Sequence, residues 1–184
     1  MQRQLLQRLK ENDPGCSHVV LLGTQLQVRD ALAVVHALAG NTHVTHLNMG
    51  CSQVEEEVGV AVGEMLSTNR SIRSVVLDNN PLGDAVVERI AEALKTNESV
   101  TELNLYWTRI TDVGAAALAS AIEGTGSLRK LNLANNHLGG EGVTLIHKAL
   151  EKNASIRSLD VRFNSADEAT LESIDRLLTA RSSH

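Results

Sequence analysis

Leu128-Arg129-Lys130-Leu131-Asn132-Leu133-Ala134-Asn135-Asn136-His137-Leu138 is the stretch from which the rest of this 184-residue chain can be read. It spells L-x-x-L-x-L-x-x-N-x-L, and a step of 28 residues in either direction returns the same pattern. The copies open at Cys16, Val44, Ile72, Val100, Leu128 and Ile156, and six of them run without insertion or deletion to Ser183. Down the copies one apolar column reads Val19, Leu47, Val75, Leu103, Leu131, Leu159, and two residues on another reads Leu21, Met49, Leu77, Leu105, Leu133, Val161. Period-two spacing predicts a short strand with that face buried. The second half of each unit carries Val34, Val62, Ile90, Leu118, Ile146, Ile174 and, four residues later, Leu38, Leu66, Leu94, Ile122, Leu150, Leu178. An i, i+4 pair in every unit predicts a helix packed on the sheet.

A fixed period with this spacing is the pattern of a leucine-rich repeat solenoid. The expected fold is α/β, a right-handed solenoid of six 28-residue β-α repeats, since parallel β-α-β connections are right-handed. Strands lie about 4.8 Å apart whereas packed helices need roughly 8–10 Å. The stack is therefore expected to bend into a horseshoe with a parallel sheet on its concave face. One domain over 1–184 is expected: residues 1–15 form an N-terminal cap helix, because Leu9-Lys10-Glu11-Asn12 repeats Leu94-Lys95-Thr96-Asn97 one residue out of register, and residues 16–183 form the repeats.

The column Thr24, Ser52, Asn80, Thr108, Asn136, Asn164 is expected to satisfy the backbone where the chain leaves each strand. Asp30, Glu55, Asp84, Asp112 and Asp167 mark helix starts, where carboxylates suit the dipole. At the far end Arg157, Asp160 and Arg162 put charge on the sixth strand and discourage further pairing; the first strand is less protected.

Composition narrows the function classes. A net charge of −5 and a pI near 5.8 argue against nucleic acid, which needs a basic stripe. Apolar runs such as Val113 to Ile122 are too short to span a bilayer, and Met1 to Glu11 lacks an apolar secretory core, so a cytoplasmic protein is expected. Cys16 and Cys51 sit roughly 20 Å apart in the repeat register, beyond disulfide reach, and are expected as free thiols. No standard catalytic, nucleotide or metal motif is present, and neither a cofactor nor a small-molecule substrate is expected. His18 and His46 occupy one repeat position and are expected to stack about 5 Å apart; a third metal ligand is lacking. Glu55-Glu56-Glu57 reads as a solvated helix start.

One Tyr, one Trp and one Phe are present, and all fall on two adjacent columns outside the core. These columns run Leu22, Gly50, Asp78, Tyr106, Ala134, Arg162 and Gly23, Cys51, Asn79, Trp107, Asn135, Phe163. Tyr106, Trp107 and Phe163, edged by Glu102, Arg109, Lys130, Asp160 and Arg162, are the candidate partner-binding residues, because Trp, Tyr and Arg dominate interface energies. The competing expectation is that Trp107 and Phe163 fold back on their own loops. Val20, Leu22 and Val76 form a second apolar patch at positions that should face solvent.

The 28-residue period with helices ending A-L-x-x-N resembles the ribonuclease-inhibitor-like class of leucine-rich repeats over essentially the whole chain. More narrowly, Leu5-Leu6-Gln7-Arg8-Leu9-Lys10-Glu11-Asn12-Asp13-Pro14, Ala37-Leu38-Ala39-Gly40-Asn41-Thr42-His43-Val44 and Glu64-Met65-Leu66-Ser67-Thr68-Asn69 resemble the leucine-rich repeat domain of tropomodulin and leiomodin. Those proteins cap or nucleate actin filaments, so the resemblance implies a protein-binding domain whose partner is not named by the sequence, with actin or another cytoskeletal protein as one candidate. The expected function is a non-enzymatic interaction module acting through its concave face, with regulation of actin filament ends as the alternative.

Overall fold

The computed structural model describes residues 2–182. The ends of the expected domain, Met1, Ser183 and His184, lie outside the described residues. The order is α1 (Gln2–Lys10), β1 (His18–Val20), α2 (Val28–Ala39), β2 (His46–Asn48), α3 (Glu56–Thr68), β3 (Ser74–Val76), α4 (Gly83–Leu94), β4 (Glu102–Asn104), α5 (Asp112–Gly124), β5 (Lys130–Asn132), α6 (Gly140–Lys152), β6 (Ser158–Asp160) and α7 (Glu168–Ser182). The six strands form one parallel sheet in sequence order. Every register shift is 28 residues, as in His18↔His46 and Leu131↔Leu159.

Each strand buries its middle residue while its two neighbours face outward. One face of the sheet is thus covered by helices and the other is open. The core columns are buried from Val19 and Leu47 through Leu159 in the strands and from Val34 through Ile174 in the helices, with Leu178, last of its column, partly buried. Helices pack on their sequence neighbours, α1 on α2 through to α6 on α7.

Two polar ladders hold the turns. At the strand exits the amide of Asn80 donates to the carbonyls of Met49 (2.9 Å) and Leu77 (2.9 Å), and its Oδ1 accepts from the N–H groups of Ser52 and Val54. Asn136 repeats the arrangement with Leu105, Leu133, Thr108 and Ile110. The second ladder, at the helix exits, is Asn41, Asn69, Asn97, Thr125 and Asn153, all buried. Asn97 Nδ2 donates to the carbonyls of Leu66 and Asn69, and Oδ1 accepts from the N–H groups of Ser99 and Val100. Arg181 ends this ladder: its guanidinium takes the next 28-residue position and donates to the carbonyls of Leu150, Asn153 and Ile156. Partial burial beside Arg157 lowers its pKa from the ordinary arginine value. Among the described residues no buried side-chain polar atom lacks a partner.

The helix-start acids do more than complement their own dipoles. Asp84, in the first turn of α4, accepts from Thr111 N, Thr111 Oγ1 and Gly114 N at the start of α5. Asp112 likewise accepts from Gly139 N and Gly142 N at the start of α6. Each carboxylate caps the following repeat and so couples neighbouring units. Glu55, by contrast, stands at the N-cap of α3 without a side-chain capping bond.

Candidate protein-interaction site

The strand exit decides how the candidate residues are presented. Cys51, Asn79, Trp107, Asn135 and Phe163 all have positive φ, between 52° and 59° except Trp107 at 51°, and Gly23 at the head of the column has 66°. Their N–H groups extend the sheet ladder past the strands: Asn79 N donates to Tyr106 O, Trp107 N to Ala134 O, Asn135 N to Arg162 O. Glycine and asparagine enter the left-handed region cheaply, whereas bulky side chains do so at a cost of about 1–2 kcal/mol. Trp107 and Phe163 accept this strain, and the same turn throws their rings outward: Trp107 is 56% exposed and Phe163 75%. The expectation that both rings fold back on their loops is corrected by these exposures.

Tyr106 behaves differently. It is half-buried, its N–H donates to Asn104 Oδ1, and its hydroxyl accepts from Asn135 Nδ2 at 3.2 Å. Asn135 stands between Trp107 and Phe163 in the column, so the three aromatic positions and Asn135 form one rim along the strand exits. Arg109 lies two residues past Trp107, is exposed and left-handed at φ 63°, and has no ion-pair partner among the described residues.

The remaining charges neutralise one another. Lys130 Nζ meets Glu102 Oε1 at 2.7 Å across β4 and β5. Arg162 grips Asp160 with two bonds, Nε to Oδ1 at 2.9 Å and Nη2 to Oδ2 at 2.6 Å. That side-chain bonding holds the Asp160 carboxyl below the usual carboxylate range and raises Arg162. Asp160 also accepts from the N–H of Arg162, as Asn48, Asn104 and Asn132 do from the residue two further on. This outward column therefore serves the turn as well as the surface, a role the sequence reading missed.

Glu102, Lys130 and Asp160 line a hollow of about 360 Å³ on the open sheet face together with Ser74, Asn104 and Asn132. Tyr106, Trp107, Arg109, Arg162 and Phe163 stand beside it on the loops. The structure thus divides the eight candidates into a polar floor and an aromatic rim. Val113, exposed in the first turn of α5 just past this rim, was not among them; only its place on the solvent side of the helix marks it.

At the other end of the sheet His18 and His46 stack with centroids 4.2 Å apart and planes 9° from parallel. Their Nδ1 atoms bond the hydroxyls of Ser17 and Thr45. Parallel rings aim their remaining nitrogens in the same direction, which does not converge on one ion, and no cluster of three metal-ligating residues occurs among the described residues. Cys16 is buried and Cys51 exposed, both free. No helix among the described residues is long and apolar enough to cross a membrane.

The repeat register, α1 and both ladders invite comparison with known proteins. Residues 2–103, more than half of the chain, match the family model described as the TMOD/LMOD leucine-rich domain. The chain belongs to that family. A general leucine-rich repeat model matches residues 96–119 and 127–146. Among solved structures, leiomodin-1 Actin-Binding Site 2 (ABS2) superposes with a TM-score of 0.67 at 22% identity, covering 98% of this chain and 88% of that one. The tropomodulin C-terminal domain of Caenorhabditis elegans gives 0.67 at 14% identity, covering 99% and 93%. At these identities the likeness shows the fold alone. No curated protein sequence matches. Of the eight candidates only Glu102 lies within the stretch matched by the TMOD/LMOD model; the aromatic rim lies beyond it.

Proposed function

We propose that this TMOD/LMOD leucine-rich domain is a non-enzymatic protein-interaction module that holds a partner against the Tyr106–Trp107–Phe163 rim and the adjoining polar floor. The observation that carries it is the left-handed, exposed state of the large rings of Trp107 and Phe163 in a column whose other members, Gly23, Cys51, Asn79 and Asn135, are small. The fold gains little from a strained, exposed ring, whereas an interface gains an anchor. Strand spacing of about 4.8 Å under helices that need roughly 8–10 Å makes the open sheet face the concave side of a horseshoe, and so gathers floor and rim around one partner.

Asparagine is the right probe, because it removes the ring and keeps the left-handed backbone, as Asn79 and Asn135 do. The Trp107→Asn/Phe163→Asn protein should keep its fold by circular dichroism. In an affinity capture read by mass spectrometry it should lose a partner that the parent retains, at about 1–3 kcal/mol per ring. Equal capture by both proteins moves the interface elsewhere. A second reading, action on actin filaments, is favoured by the family and by the actin-binding site named in its leiomodin relative. A pointed-end elongation assay tests it, and no effect at micromolar protein ends it.

A further inference from the structure

The polar floor has a second border, opposite the aromatic rim. Strands β3 to β6 are each entered through a short turn, residues 69–73, 97–101, 125–129 and 153–157, and these turns carry four arginines, Arg70, Arg73, Arg129 and Arg157, against one carboxylate, Glu98. All five are exposed. The floor charges pair off, Lys130 with Glu102 and Asp160 with Arg162, but none of the four arginines, nor Glu98, has an ion pair among the described residues. Three of the guanidiniums are held from one side: Nη1 of Arg70 donates to Ser67 O at 3.0 Å, that of Arg129 to Gly126 O at 2.7 Å and that of Arg157 to Ala154 O at 2.7 Å. Their Nε and Nη2 groups, and the whole Arg73 side chain, meet no partner among the described residues. Positive charge is thus left over here on a chain of net charge −5. Burial lowers the pKa of Arg181, and the like charge of Arg157 lowers it further.

Arg73, Arg129 and Arg157 share one repeat position, with Thr101 between the first two. The ladder ties them into a row: Thr101 N donates to Arg73 O, Arg129 N to Thr101 O and Arg157 N to Arg129 O. At about 4.8 Å per strand this row is about 14 Å long. Across the sheet, Arg157 and Phe163 stand at the two ends of β6, and Thr101 and Trp107 at the two ends of β4. At about 3.3 Å per residue the row and the rim are about 20 Å apart, with the floor between them. Beside the row a hollow of about 420 Å³ is lined by Lys95, Glu98, Thr101, Ser127 and Arg129. Glu98 there makes the Thr101 position a gap in the positive row.

We propose that the partner held at the aromatic rim is bipolar: apolar side chains at one end meet Trp107 and Phe163, and carboxylates at the other, about 20 Å away across the floor, meet Arg73, Arg129 and Arg157. The apolar end rests on the rim reading above, and the acidic end is added to it. Between the two ends the partner is polar and uncharged, because the floor charges already answer one another. The planar fork of arginine takes a carboxylate through two parallel bonds. Phosphate of nucleic acid or lipid would suit the fork as well, but the row lacks what those partners use besides charge. The rings of the chain stand on the opposite border, so no base has a platform here. The exposed large apolar residues, Val20, Leu22, Trp107, Val113 and Phe163, all lie outside these turns, so none is placed to enter lipid.

The probe is a synthetic peptide of two leucines, a spacer of about five serine and glycine residues, which spans the floor when extended, and three glutamates. Titrated into isotopically labelled protein at low salt, it should shift the side-chain N–H resonances of Arg73, Arg129 and Arg157 together with the indole N–H of Trp107. Exposed ion pairs are worth about threefold in affinity each. Arg73→Gln, which removes no bond of the fold, should therefore weaken binding about threefold, and Arg73→Gln/Arg129→Gln/Arg157→Gln about thirtyfold. Arg3→Gln/Lys10→Gln/Arg176→Gln, with the same net charge, should bind as the parent does. If the arginine variants bind as the parent does while Trp107→Asn/Phe163→Asn binds weakly, the acidic end is refuted and the rim reading stands. If the arginine variants bind weakly while the rim variant binds as the parent does, the rim reading fails and the bipolar partner with it. Equal weakening in the charge-matched control, no shift with peptide in millimolar excess, or tighter binding of an oligothymidylate or a phosphatidylserine vesicle at the same arginines would each overturn the proposal.

Discussion

The helix-exit ladder invites a severe test at Asn97. Replacing it with alanine removes one side chain that serves four main-chain groups: the carbonyls of Leu66 and Asn69, at 2.8 and 3.0 Å, and the N–H groups of Ser99 and Val100, both at 2.8 Å. The residue is 3% exposed, so water does not readily replace it. At about 1 kcal/mol per bond, the loss comes to about 4 kcal/mol, a large share of the 5–15 kcal/mol that holds a typical domain. The molecule carries its own control. Thr125 occupies the same ladder position, but its hydroxyl receives only one main-chain bond, from Leu128 N at 3.4 Å. Thr125→Asn should therefore stabilise the protein by about 1–2 kcal/mol. Urea unfolding followed by far-ultraviolet circular dichroism reads both, with hydrogen exchange across α4 and α5 to detect independent unfolding of units, a known property of stacked repeats. A loss under about 1 kcal/mol for Asn97→Ala, or no gain for Thr125→Asn, refutes the claim that this ladder holds the turns.

Gly142→Ala should destabilise, against the usual gain of about 1 kcal/mol for alanine over glycine in a helix. The added Cβ overlaps Asp112 Oδ1, the atom that caps α6 through Gly139 and Gly142; a net loss of about 1–2 kcal/mol is expected from thermal or urea melts, and a gain disproves the inter-repeat cap. Stability should also fall on the acid side. Asp13, Asp160 and Asp167 are held below the ordinary carboxylate pKa by bonds to Arg8, Arg162 and the Thr170 N–H respectively. Their contribution is present above the unfolded-state pKa and is lost as pH falls through the lower folded values. The urea midpoint should hold between about pH 7 and 5 and drop below about pH 4; a midpoint flat to lower pH refutes this.

Much of this protein was legible in its sequence because stacking imposes equal thickness on every repeat. The period of 28 residues gave the strand columns, the helix columns, the order of the sheet and the register His18↔His46, since each position must meet its own copy one repeat away. Identical placement also foretold the histidine stack and the Asn80–Asn136 ladder. The same logic would have revealed the second ladder, from Asn41 to Asn153, and Arg181 at its end, had that column been followed as closely.

Tertiary structure decided what the repeat pattern leaves open, namely where each side chain points once its neighbours are in place. Trp107 and Phe163 stand clear because the strand-exit backbone is left-handed, and a dihedral angle is not a property of spacing. Glu102 and Lys130, 28 residues apart, pair once β4 and β5 lie side by side, whereas Asp160 and Arg162 pair within the exit of β6 itself. Asp84 and Asp112 look like caps of their own helices until the next helix arrives within reach. Periodicity fixes which residues share a column, because it is set by the chain itself; partner choice within and between columns depends on angles and distances that exist only in the packed solenoid.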